Sequence, residues 1–159
     1  AIARLGVIQP LLALLPTGPP AAQGSAALAL GNLAVRSDDN QLAIGRAGAI
    51  EPLVALVSSA GAQSGRDRPS LAPALPGSIT PAQAIVNGGS ATAQEVAATA
   101  LSHLAAGNAA NQEVIDRARM IAPLVALLRS GSVGTQEAAV ATLSNLVDNA
   151  ANTVAIARL

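Results

Sequence analysis

No Phe, Tyr or Trp occurs anywhere in this chain of 159 residues, and no Cys. Without cysteine, disulfides and thiolate metal sites are excluded. Without aromatic rings, the core must be built from Leu, Ile, Val and Ala. Such side chains suit helices that pack closely, and Ala and Leu are strong helix formers. Charge is scarce and balanced: nine basic and nine acidic residues give a formal net charge of zero. No run of Lys or Arg exists. A nucleic-acid reader needs a basic face and often aromatic stacking platforms, so nucleic acid is not an expected partner. No stretch reaches the ~18 uninterrupted apolar residues of a membrane span. The opening run from Val7 to Gln23 has some look of a signal peptide, but Pro10 interrupts it and the same pattern recurs twice where no signal lies.

What the chain does have is repetition. Half of it, 51%, is hydrophobic, and that half is arranged in a fixed order. The template I-x-P-L-[LV]-A-L-[LV] fits Ile8–Leu15, Ile50–Val57 and Ile121–Leu128. A second segment recurs as Ala26–Ala34, Ala97–Ala105 and Ala139–Val147. Pro10 and Pro52 are 42 residues apart, and so are His103 and Asn145; Pro52 to Pro123 and Asn32 to His103 are both 71. The period is therefore 42, with 29 extra residues between Pro52 and His103. A third, shorter segment starts at Asn40, Asn111 and Asn152, and each Asn is expected to cap the helix it begins. Ala1–Leu5 reads as the tail of a further copy. The division that follows is 1–38, 39–107 with the insertion, 108–149, and the start of a fourth unit at 150–159, a fragment of a longer array.

All three segments read as helices. Gly48 suits the left-handed turn that closes a helix, and Pro52 falls in the first turn of the next, where a missing N–H costs little. Gly6 matches Gly48; Arg119 stands in the third copy, where a left-handed Arg costs roughly 1 kcal/mol relative to Gly. Ala26, Leu30 and Leu33 have the spacing of a buried helical face.

Three helices per 42 residues, short then medium then long, resemble the armadillo repeat. The residues that carry the likeness are the Gly48–Leu56 block G-A-I-E-P-L-V-A-L and the Gln136–Leu146 block Q-E-A-A-V-A-T-L-S-N-L. HEAT repeats have two helices and lack the separate short one. The resemblance implies an all-α, right-handed solenoid that binds other proteins, extended peptides or helices, and that is not an enzyme. It also implies an intracellular location, cytoplasmic or nuclear, with which the absence of cysteine is compatible. A substrate-recognition array of a U-box-type ubiquitin ligase and a nuclear-import adaptor are the alternative readings.

The extra residues fall at about 60–88 and hold Pro69, Pro73, Pro76 and Pro81 among many Gly, Ala and Ser. Such a segment buries too little to offset its ordering entropy, so an irregular projecting loop is expected. A short helix from Thr80-Pro81 to Gly88-Gly89, a Pro-rich docking segment and an in-frame retained intron remain open.

Chemistry has few carriers. His103 is the sole His, without partners for a triad or a metal site. Gly88-Gly89-Ser90 and Gly131-Ser132 are no phosphate cradle, so no cofactor is expected. By the resemblance, the third helices line a concave groove in which an Asn on each bonds a peptide backbone and a Trp one turn earlier flanks its side chains. Here the Asn slot holds Asn32, His103 and Asn145, and the Trp slot holds Leu28, Thr99 and Ala141. The missing Trp argues against the tight basic-peptide grip of import adaptors. One turn beyond these slots lie Arg36 after Asn32, Glu95 before Thr99 and Glu137 before Ala141. Their carboxylates favour partners with spaced Lys or Arg. The competing reading of Asn32 and Asn145 is a hydrogen bond to a neighbouring repeat's backbone.

Overall fold

The computed structural model describes residues 6–63 and 81–147, with side chains at 6–58 and 93–147. Its elements are α1 (Ile8–Thr17), α2 (Pro20–Ala34), α3 (Asp38–Arg46), α4 (Ile50–Gln63), α5 (Pro81–Ala105), α6 (Ala109–Arg117), α7 (Ile121–Ser130) and α8 (Val133–Val147). The described residues contain no strand. The three long helices α2, α5 and α8 lie side by side in chain order, with α1, α4 and α7 each packed on the long helix of its own unit. The molecule is an all-α solenoid of stacked helical units.

Its core is aliphatic throughout. Leu30 and Leu101 occupy one slot of the long helices, Leu104 and Leu146 another, and Leu53 and Leu124 one slot of the second helices; all are fully buried. Each such side chain contributes about 1.5–3 kcal/mol by leaving water. Small residues let the long helices approach. A Cβ on Gly31 would stand 3.1 Å from the Ala100 Cα, so α2 and α5 meet nearly backbone to backbone there.

The short helices α3 and α6 are capped three residues before the expected asparagines. Ser37 and Asn108 hold the extended backbone of a cap, and their side-chain oxygens accept from the N–H of Asn40 and Asn111. Asn40 and Asn111 are already inside the helix, so they do not cap it. Their amides reach back instead: Asn40 Nδ2 donates to Leu33 O at 2.8 Å, and Asn111 Nδ2 to Leu104 O at 2.9 Å. The next residue repeats the move, Gln41 Nε2 to Ala34 O at 3.4 Å and Gln112 Nε2 to Ala105 O at 2.9 Å. These carbonyls end the long helices and have no intrahelical donor. The matching residue Asn152 lies outside the described residues, as do 1–5 and Asn149.

The turns that follow are left-handed at Gly6, Gly48 and Arg119, with φ of 73°, 84° and 56°. Arg119 therefore adopts the strained conformation rather than a different turn. Arg36 does the same at 55°, in the slot that Gly107 fills after α5.

The insertion departs from its expected form at both ends. Helix α4 continues through 60–63, and α5 starts at Pro81 and runs on through Gly88-Gly89 to Ala105. Glycine permits a left-handed stop but does not impose one. Two helical glycines cost about 1 kcal/mol each relative to Ala, while a stop would require a second costly helix nucleus. The remainder of the expected loop, 64–80, lies outside the described residues. As a result α5 has 25 residues against 15 in α2 and in α8. The repeat register survives: Gln94 Nε2 donates to Val57 O at 2.7 Å, as Gln136 Nε2 donates to Leu128 O at 3.1 Å.

Two outcomes follow. Asn111→Ala should lower unfolding free energy by about 2 kcal/mol, because buried acceptors lose their donor; urea titration of the variant checks this. Deleting 60–88 joins Ser59 to Gly89 and restores the Ser-Gly-Ser connection seen at Ser130–Ser132. That variant should keep a single cooperative melt and the helicity of the remaining units, read by far-UV circular dichroism.

Candidate functional site

The candidate residues fall on three neighbouring parallel helices, and the contacts between those helices fix their order. On the α2–α5 side, Gly31 packs against Ala100, and its added Cβ would lie 3.6 Å from His103 Nδ1. On the α5–α8 side, Thr142 Oγ1 donates to Ala98 O at 3.1 Å, and Asn145 Nδ2 reaches both Ser102 O and Ser102 Oγ at 3.0 Å. Asn32, His103 and Asn145 thus form one row across α2, α5 and α8, and Leu28, Thr99 and Ala141 form a second row one turn earlier. None of the six is buried. Leu28, at 49% exposed, is the largest apolar side chain in either row.

Within the rows the members differ. Asn32 is exposed and its side chain has no partner among the described residues. Asn145 is half-buried and its amide nitrogen is engaged by Ser102, so only its carbonyl oxygen remains for a ligand. His103 is half-buried, and its Nδ1 is buried without a hydrogen-bond partner. The reason lies across the interface. Gly31 stands where Ser102 stands in the next unit, so no hydroxyl meets the side chain in the His103 slot. Thr99 Oγ1 turns back to Glu95 O at 2.9 Å, within its own helix.

The charged members are also unequal. Arg36 is exposed beyond the end of α2 and held there by its left-handed backbone. Glu137 is exposed on α8. Glu95 is half-buried, with its carboxylate laid over Gly134, where an added Cβ would overlap it. Gly134 belongs to the first turn of α8, which has no acidic residue of its own. A carboxylate at that end meets the positive pole of the helix, so Glu95 has a structural position as well as an exposed edge. The sequence pattern does not reveal this, because Glu95 and Glu137 occupy one slot and differ only in whether a further helix covers them.

Among the described residues no group of three His, Asp or Glu is placed to hold a metal ion. No described helix is long and apolar enough to cross a membrane.

Replacing His103 with Asn should let the amide donate to the Gly31 carbonyl as Asn145 does to Ser102. His103→Asn should therefore stabilise the fold by about 1 kcal/mol, measured by urea denaturation.

Comparison with known proteins agrees with this architecture. Residues 108–148 match the model of the armadillo/beta-catenin-like repeat, a span that covers α6, α7 and α8. Two crystal structures of engineered proteins from the Northeast Structural Genomics Consortium share the fold, each with a TM-score of 0.71 over 95% of this chain. Their sequence identities are 24% and 26%, and the chain spans 50% and 30% of their lengths. No curated protein matches the sequence. Residues 108–148 are thus an armadillo-type repeat by sequence, and the other described units share with it the architecture of a helical solenoid.

Proposed function

We propose that this array is a scaffold that holds an extended peptide or a partner helix along the exposed face of α2, α5 and α8. The observation that carries the reading is the pair of unburied rows, Leu28–Thr99–Ala141 and Asn32–His103–Asn145, continuous over three helices. Leu28 and Ala141 in one row supply apolar contact area, and the Asn32 amide and the Asn145 carbonyl oxygen in the other supply backbone hydrogen bonds. Helices hold both on rigid supports, so little ordering entropy is lost on binding. Exposed Glu137 and half-buried Glu95 favour a partner with spaced Lys or Arg. Each such pair is worth only about 0–1 kcal/mol in solvent. With no aromatic anchor to fill a pocket, affinity per unit is low and accumulates along the face. A cytoplasmic or nuclear location belongs to the same proposal.

A fluorescein-labelled extended peptide with Arg at alternate positions tests it by anisotropy. Binding should weaken as salt rises, and an acidic counterpart should not bind. Leu28→Arg combined with Ala141→Arg should reduce affinity about tenfold or more, with an unchanged melt. Unaltered binding by that folded variant would move the partner to another surface and refute the proposal.

A further inference from the structure

Two seams join the long helices, α2–α5 and α5–α8, and both lie inside the stack. Each gives a neighbouring side chain a fixed hydrogen-bond polarity. At the α5–α8 seam, Asn145 Nδ2 makes two bonds at 3.0 Å, to Ser102 O and to Ser102 Oγ. A side-chain amide carries two N–H groups, so Asn145 has no donor left to offer. At the α2–α5 seam, His103 Nδ1 is closed off against Gly31. Among the described residues it is the one buried side-chain nitrogen or oxygen without a partner. His103 Nε2 and Asn145 Oδ1 make no bond within the described residues and are not buried, so both open on solvent. No acceptor meets Nδ1, and an N–H buried without one is disfavoured. The ring proton therefore sits on Nε2. In the neutral ring and in the imidazolium alike, Nε2 is then a donor. Thr99 adds no competing donor, because its hydroxyl turns back to Glu95 O.

We propose that His103 and Asn145 form a donor–acceptor pair that binds the main chain of an extended peptide in one direction. His103 Nε2 takes a peptide carbonyl, and Asn145 Oδ1 takes a peptide N–H. On the scaffold reading above, the pair decides which form of partner fits and which way it runs. A partner helix keeps its main-chain groups in its own ladder, so the pair selects an extended segment. Along one edge of such a segment, N–H and C=O groups alternate at unequal intervals, close and then wide. Reversing the chain exchanges donor and acceptor. Two fixed points of opposite polarity therefore match the intervals in a single direction. A pair of unengaged amides, each with donor and acceptor, would impose no such order. The residue that meets Asn145 cannot be proline, which has no N–H.

The chain has no Trp, so one placed on a groove helix acts as a local quencher. Peptides of about seven residues, with Arg at alternate positions, span the three helices at ~3.3 Å per residue. Each carries bimane at its N-terminus or at its C-terminus. Ser144→Trp on α8 and Ser25→Trp on α2 replace exposed residues. Ser144→Trp should quench one of the two peptides and Ser25→Trp the other. His103→Leu, added to either, should weaken binding about five- to tenfold and make the quenching equal, with unchanged far-UV circular dichroism. His103→Asn should also equalise it, because the Gly31 carbonyl takes the new amide nitrogen and two acceptors then face the peptide. Equal quenching with His103 in place and binding retained overturns the directional pair and leaves the scaffold reading standing. So does a preference that persists in both His103 variants. Failure of either peptide to bind the folded chain overturns the two together.

Discussion

The long helices α2 and α5 end in carbonyls that have no donor within the helix, and the short helix that follows each supplies one. Asn40 and Gln41 close the end of α2; Asn111 and Gln112 close the end of α5. The same amides also bond elsewhere in the stack. Gln41 Nε2 reaches His103 O at 3.0 Å, and Asn111 Nδ2 reaches Gln41 O at 3.1 Å. Asn108, the cap of α6, adds a bond to Gln41 Oε1 at 3.4 Å. A buried carbonyl without a partner costs about 1–3 kcal/mol, so these amides fix both the corner within a unit and the step to the next. The aliphatic core provides the driving force but is nearly indifferent to register. The polar bonds at its edge are not.

That division of labour explains how the chain tolerates its irregular middle. Extra residues between α4 and α5 lengthen both helices, yet Gln94 still finds Val57 O. The long-helix layer keeps its order because the contacts that define it, Gly31 with Ala100 and Thr142 with Ala98, lie C-terminal to the added turns. The exposed rows on that layer inherit the same register. Asn145 shows the tension between packing and binding most directly, since the nitrogen that a ligand would use is engaged by Ser102. Asn32, in the identical slot on α2, is exposed only because no preceding long helix stands beside it among the described residues.

Much of this was legible in the residue order. A period of 42 found in two independent segments determined the helical units, their order and the slots that Asn32, His103 and Asn145 share, because residues one period apart must occupy equivalent places in a stacked array. Gly48 and Pro52 marked a helix end and a helix start through backbone chemistry alone. Other features depended on which atoms meet across the stack. Asn40 and Asn111 read as caps, yet Ser37 and Asn108 three residues earlier take that part, and the asparagines turn to carbonyls seven residues back. Nothing local separates an amide that caps its own helix from one that closes another. Likewise Glu95 and Glu137 are one letter in one slot. Only the presence of α8 beside α5, and of no described helix beyond α8, makes the first a packed carboxylate and the second an exposed one. The sequence by itself determined the units and their equivalence; the tertiary structure decided which equivalent side chains are covered, because burial depends on the neighbour and not on the repeat.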